Sequence, residues 1–178
     1  MDIKGKKAII FGGTSGIGLA TCQELRARGA DVVAVSRDPH KASTSIGGVR
    51  LVAVDARDSD AVSTFFESER QVDILISSAT GGSRAFGPFL EMDIDGFKGS
   101  FDKLWGYSNV VRYGTAKLGD DGCIVLVSGT PARKMKPGQV ALSAVGGAVE
   151  ALARAIAPEI APKRINVVAP GIVRSEEH

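Results

Sequence analysis

Residues 7–18 read Lys7-Ala8-Ile9-Ile10-Phe11-Gly12-Gly13-Thr14-Ser15-Gly16-Ile17-Gly18, a short apolar run that breaks into a glycine turn. Such a run bounded by glycine is the pattern of a strand buried on both faces. A helical pattern follows from Gly16 to Arg28, and Gly29 stops it. The turn therefore joins a strand to a helix, and its three spaced glycines have separate tasks. Gly12 takes the tight turn, Gly16 lets the backbone approach a pyrophosphate, and Gly18 lets helix and strand pack closely. Thr14, Ser15 and Ile17 complete a helix N-terminus whose unpaired N–H groups and positive dipole end suit phosphates. An ordinary tight turn is the plain alternative, and the strand–turn–helix context favours a nucleotide site.

Outward from this turn the same alternation continues. Strands are predicted at Asp31–Ser36, Arg50–Val54, Val72–Ser77, Cys123–Val127 and Ile165–Ala169. A helix opens after Asp58, a natural N-cap with Asp60 in its first turn. Gly81 to Pro88 is a glycine-rich loop, and long helices are predicted over Phe97–Lys117 and Val140–Ile160. Apolar strands with helices between them pair in parallel through right-handed crossovers. The fold class is α/β: a Rossmann-type doubly wound parallel sheet with helices on both faces, in a single dinucleotide-binding domain over 1–178.

Composition narrows the function. The chain has 178 residues, a net charge of +2 and 44% hydrophobic residues, enough for one core. No basic run suggests nucleic acid and no arginine stripe suggests a membrane surface. No segment reads as the ~20 apolar residues of a membrane span, and the N-terminus has no signal-peptide run. Cys22 and Cys123 match no metal spacing and read as free thiols, so no metal is expected and a cytoplasmic location is.

The second strand ends at Ser36-Arg37, where an NAD site usually places an acid to accept from the ribose 2′-hydroxyl. Serine does not repel a 2′-phosphate and a guanidinium can pair with it, so NADP is the expected cofactor. A solvated Arg37, neutralised by Asp38, is the other reading.

Taken together these motifs resemble the short-chain dehydrogenase/reductase family over nearly the whole chain. Asp55-Ala56 falls at the family's adenine-contacting position. Ser77-Ser78-Ala79-Thr80 stands for its Asn-Asn-Ala-Gly, with Ser78 and Ala79 beside the cofactor. Asn166 to Ala169, with Pro170 and Gly171, resembles the stretch before the nicotinamide contact, and Ser175 takes the place of a carboxamide-touching Thr. Phe11 replaces the usual Thr. The resemblance implies an NADP(H)-binding oxidoreductase, a small-molecule substrate and a homo-oligomer. It also implies a substrate loop, a helix and a last strand after Ser175, and whether the chain is shortened, cleaved or naturally short stays open.

The family's catalytic Asn, Ser, Tyr and Lys fall on Lys103, Gly129, Leu142 and Gly146, so no catalytic residue is assigned and carbonyl reduction through a phenol is not expected. A non-catalytic NADPH-sensing or partner subunit is the alternative reading. Ser128 and Thr130 flank the Ser position and remain candidates for ligand contact. Lys103 reads either as a receptor for an acidic group or as a solvated lysine, and shares a helix face with Tyr107. Gly146 should leave a gap beside the nicotinamide ribose. Tyr113 and Lys117 repeat the Tyr-x-x-x-Lys spacing but should lie at the wrong edge of the sheet. Trp105, Tyr107 and Tyr113 are core or interface aromatics, and Gly146-Gly147 suggests close backbone packing, within the fold or against another subunit.

Overall fold

A computed structural model describes residues 2–39, 47–80 and 82–171. Six parallel strands form one sheet in the order β3-β2-β1-β4-β5-β6: β1 (Lys7–Phe11), β2 (Asp31–Ser36), β3 (Arg50–Ala53), β4 (Val72–Ser77), β5 (Leu118–Val127) and β6 (Arg164–Val168). Helices α1 (Gly16–Ala27), α2 (Ser59–Ser68), α3 (Ile94–Gly99), α4 (Asp102–Gly114) and α5 (Val140–Ile160) connect them. The chain starts at the sheet centre, moves out through β2 and β3, then crosses to β4 on the other side of β1. That reversal opens a crevice beyond the carboxyl ends of β1 and β4.

Because β1 and β4 are covered on both faces, their apolar runs are continuous rather than alternating. One core layer holds Ile9, Phe11, Phe65, Phe66, Leu75, Tyr107 and Leu126; the other holds Ala8, Ile10, Cys22, Val32, Ala34 and Ile76. Gly29 adopts φ +85° directly after α1, as the helix stop requires. Asp58 caps α2 by accepting from the N–H groups of Asp60 and Ala61.

Two elements differ from the sequence reading by more than a residue at an end. The long central helix is two helices, broken at Ser100-Phe101. Ser100 Oγ donates to the Gly96 carbonyl and accepts from Ala85 N–H, so a side chain competes with the helix ladder there. Strand β5 begins at Leu118, which pairs with Val72 before an irregularity in the ladder. The expectation of no span-like segment also needs correction. α5, with 21 residues and a mean hydropathy of 1.5, has the length and composition of one. Its Ala141, Val145, Val149 and Ala153 are buried in the fold, where the helix lies against β6.

Candidate functional site

The crevice is a cleft of about 2060 Å³ lined by the glycine turn, the ends of β2 to β6 and the first turns of α4 and α5. At its centre Gly12 adopts φ +80°, and a Cβ there would stand 2.6 Å from the Ala79 nitrogen. The end of β4 thus presses against the turn. Ser78 fastens it, its N–H donating to the Phe11 carbonyl and its Oγ to the same oxygen at 3.0 Å. A Cβ on Gly18 would overlap the Gly12 carbonyl and the Ser78 hydroxyl. Gly16 is different. It needs its left-handed φ of +47°, yet nothing lies within 4 Å of where its Cβ would be. The open space is over the backbone at the start of α1. Ser15 makes no side-chain cap to that helix and its first turn carries no acid, so these N–H groups face the cleft without a competing anion.

Ser36 and Arg37 lie at the rim beyond β2 and line the cleft. Among the described residues the Ser36 hydroxyl is buried without a hydrogen-bond partner, and Arg37 is exposed. Asp55 is held by Arg57, whose Nη2 lies 2.7 Å away. Hydrogen bonds from this guanidinium are the main force holding the Asp55 carboxyl below its usual range, against the opposing effect of burial. Arg57 also reaches Asp102 at 3.0 Å, tying β3 to α4. The sequence reading missed this hub, because its second partner is 45 residues away. Ala56 is buried and packs under Gly106. Pro170 and Gly171 line the far wall. The Pro170 carbonyl accepts from both the N–H and the hydroxyl of Thr130. Ser175 lies outside the described residues.

At the other end, Lys103 projects from the first turn of α4 into the cleft. Its Nζ is 3.4 Å from the Ser128 carbonyl and 5.4 Å from the centre of the Tyr107 ring. Burial, with the Arg84 guanidinium nearby, lowers its ammonium pKa to about 8. Lys103 is thus half-buried and held to the cleft wall, not a freely solvated lysine. Tyr107 is fully buried and donates to the Val127 carbonyl at 2.9 Å; burial pushes its phenol far above the usual range, so it does not supply protons. Ser128 Oγ donates to the Gly146 carbonyl at 3.2 Å. The hydroxyls of Ser128 and Thr130 are thus engaged in holding the wall together. Leu142 lines the cleft. A Cβ on Gly146 would come within 2.8 Å of Ala132 Cβ, so the expected gap is filled by the 3-10 turn Thr130–Ala132. The close packing at this glycine is internal to the chain. Gly147 has nothing within 4 Å of its Cβ position.

Comparison with known proteins agrees with this geometry. The sequence model for short chain dehydrogenase matches residues 6–177. The L-xylulose reductase of Mesocricetus auratus is 31% identical over 97% of this chain and 74% of its own length. Carbonyl reductase (NADPH) 2 of Sus scrofa is equally similar, at 31% over 97% of this chain and 74% of its length. A short chain dehydrogenase from Burkholderia cenocepacia J2315, solved in complex with NADP, superposes with a TM-score of 0.90 at 27% identity, covering 99% of this chain and 76% of that one. This chain belongs to the short-chain dehydrogenase family.

Within that family the chain is an oxidoreductase fold with a nicotinamide dinucleotide cleft and an altered chemical end. Its Tyr-x-x-x-Lys at Tyr113 and Lys117 is a structural decoy. Tyr113 hydrogen-bonds Ser59 and Lys117 reaches the Glu67 carbonyl, at the amino end of β5. Of the three aromatics on α4, Tyr107 is core, Tyr113 is partly buried and Trp105 is 61% exposed.

Proposed function

We propose that the protein is an NADP(H)-dependent oxidoreductase whose proton chemistry does not use the family's phenol. The observation that carries the cofactor choice is Ser36-Arg37 after β2, a neutral hydroxyl without a partner followed by a cation at the cleft rim. The 2′-phosphate would pair with Arg37, and the ribose would meet Ser36. Thr14 to Gly18 would hold the pyrophosphate at the start of α1, in the open space over Gly16. Asp55 and Ala56 would border the adenine. Ser78, Ala79, Pro170 and Gly171 would border the nicotinamide end. Bound NADPH supplies a hydride, and the chain's own residues must orient the acceptor and handle its charge. Leu142 brings an apolar surface to that place, and Lys103 brings a cation. Oxidoreductase relatives weigh against the non-catalytic sensor reading.

Thermal shift with NADPH and NADH tests the cofactor, since stabilisation follows RT ln(1 + [L]/Kd). NADPH should give the larger shift, and Arg37→Ala should remove most of the difference. Equal shifts in the unaltered protein would refute the reading.

We also infer a homo-oligomer. Trp105 is 61% exposed on α4, and Ala144, Gly147, Ala148, Ala151 and Ala155 leave a small-residue face of α5 partly or fully uncovered. Trp105→Glu should reduce the mass measured by light scattering to that of one chain; a wild-type monomer would refute it. Free thiols at Cys22 and Cys123 fit a reducing, cytoplasmic setting.

A further inference from the structure

We infer that the chemical end of the cleft receives an anionic group of the substrate, a carboxylate or phosphate, between Lys103 and Arg84. The inference rests on the oxidoreductase reading and specifies the substrate class for it.

Two cations line this end of the cleft, close enough to feel each other's charge. Lys103 comes from α4, and Arg84 from the loop between β4 and α3. They repel, and this repulsion adds to burial in depressing the Lys103 ammonium. Among the described residues no carboxylate pairs with either. The acid beside Lys103, Asp102, is turned to Arg57. A half-buried cation such as Lys103 normally has a partner, because losing water without one is expensive. Here the partners are a carbonyl 3.4 Å away and the face of a tyrosine ring. An anion placed between the two side chains would turn repulsion into two charge-assisted contacts.

The surrounding loops extend this polarity. The Gly87 N–H donates to the Gly138 carbonyl at 3.0 Å, which joins the β4–α3 loop to the loop before α5. The first loop is anchored at Ala85, whose N–H donates to Ser100 Oγ. The second loop carries Lys134 and Lys136, which also line the cleft and, among the described residues, pair with no acid. The other acids along the cleft, Glu24, Asp38 and Asp55, belong to the turn and β2–β3 side. A cleft with one sign of charge at one end concentrates ligands of the opposite sign. Phe86, Pro131, Leu142 and Val145 line the same end. The fitting substrate therefore has an apolar body next to its acid group.

Calorimetry on the full chain tests this, with benzoate and phenyl phosphate as probes and benzamide as the uncharged control. Each is titrated into nucleotide-free and NADP⁺-saturated protein. At least one anion should bind about tenfold or more tighter than benzamide, and weaken as salt rises. The preferred probe says which anion the site takes. Lys103→Met and, independently, Arg84→Ala should each remove most of that preference. At pH 8 binding should take up as much as about half a proton, read from buffers of different ionisation enthalpy, because the anion restores the Lys103 charge. Lys103→Met should abolish the uptake. Equal binding of benzamide, no binding of either anion, or full preference in both variants would overturn the inference. So would an anion signal that NADP⁺ displaces, which would place the probe on the start of α1. Failure of NADP⁺ itself to bind would be seen separately and would count against the cofactor reading alone.

Discussion

Replacing Lys103 by methionine should make the protein more stable at neutral pH. The folded state lowers this ammonium from 10.5 to about 8, which corresponds to a penalty of about 3 kcal/mol for keeping it charged. Below about pH 8 the lysine is charged in both states and the penalty is complete. Between about pH 8 and 10.5 the unfolded chain holds a proton that the folded chain has lost, so stability rises with pH across that window. Methionine keeps the length and removes the charge. It also loses the 3.4 Å bond to the Ser128 carbonyl, which is worth about 1 kcal/mol at most. Lys103→Met should therefore be about 2 kcal/mol more stable than the unaltered protein at pH 7, and the gap should nearly close by pH 10. Urea denaturation of both proteins at the two pH values, without ligand, measures this. A variant less stable at pH 7, or a gap that ignores pH, would show that the lysine finds a partner in the fold and that the reasoning is wrong.

Two further outcomes follow from the glycines of α5. Gly146→Ala should destabilise by about 1–3 kcal/mol through overpacking against Ala132, while Gly147→Ala, in open space, should gain up to about 1 kcal/mol of helix propensity; urea midpoints in the reverse order would refute the packing described. Without a lysine at position 146 to hold the nicotinamide ribose, adenosine 2′,5′-bisphosphate should bind within about tenfold of NADP⁺, the two differing by about 1.4 kcal/mol or less. A far weaker bisphosphate in calorimetry would mean that other groups grip the nicotinamide half.

The parts legible in the sequence are those governed by local chemistry. β1, β2, β4 and α5 begin and end where their apolar runs do, since a strand buried on both faces has no room for polar residues. The glycine turn was legible for the same reason: Gly12 and Gly16 need left-handed φ, and Gly18 has no space for a side chain. What the sequence hid depends on distant partners. The break between α3 and α4 comes from the Ser100 hydroxyl, which competes with the helix ladder and anchors Ala85. The sequence leaves Lys103 open between a receptor for an acidic group and a solvated lysine, and its contact with the Ser128 carbonyl and the influence of Arg84 come only with the fold. Arg57 has no motif at all, and its role exists only because α4 brings Asp102 to it.

The four substitutions at the chemical end are one rebuilt arrangement and not scattered losses. Had the lysine at position 146 simply been deleted, its place would be a void lined by α5. Instead the turn Thr130–Ala132 lies in contact there, and Ser128, beside Gly129, donates to the carbonyl of Gly146 itself. The small residues at 129 and 146 are thus the two sides of one close approach. Under the family resemblance this close approach stands where a ribose-binding lysine is expected, and the apolar Leu142 lining the cleft fits a site without an activated phenol. The fourth moves the cation to the other wall. Lys103 stands on α4 at a calculable penalty to stability, and packing alone offers no return for that penalty because a methionine would fill the same space. A charge retained at such a site, in a cleft also lined by Arg84, which pairs with no acid among the described residues, is best explained by what binds there. On the proposed reading, the chemical end of this cleft is suited to gripping an acid and not to handing a phenol proton to a neutral carbonyl oxygen.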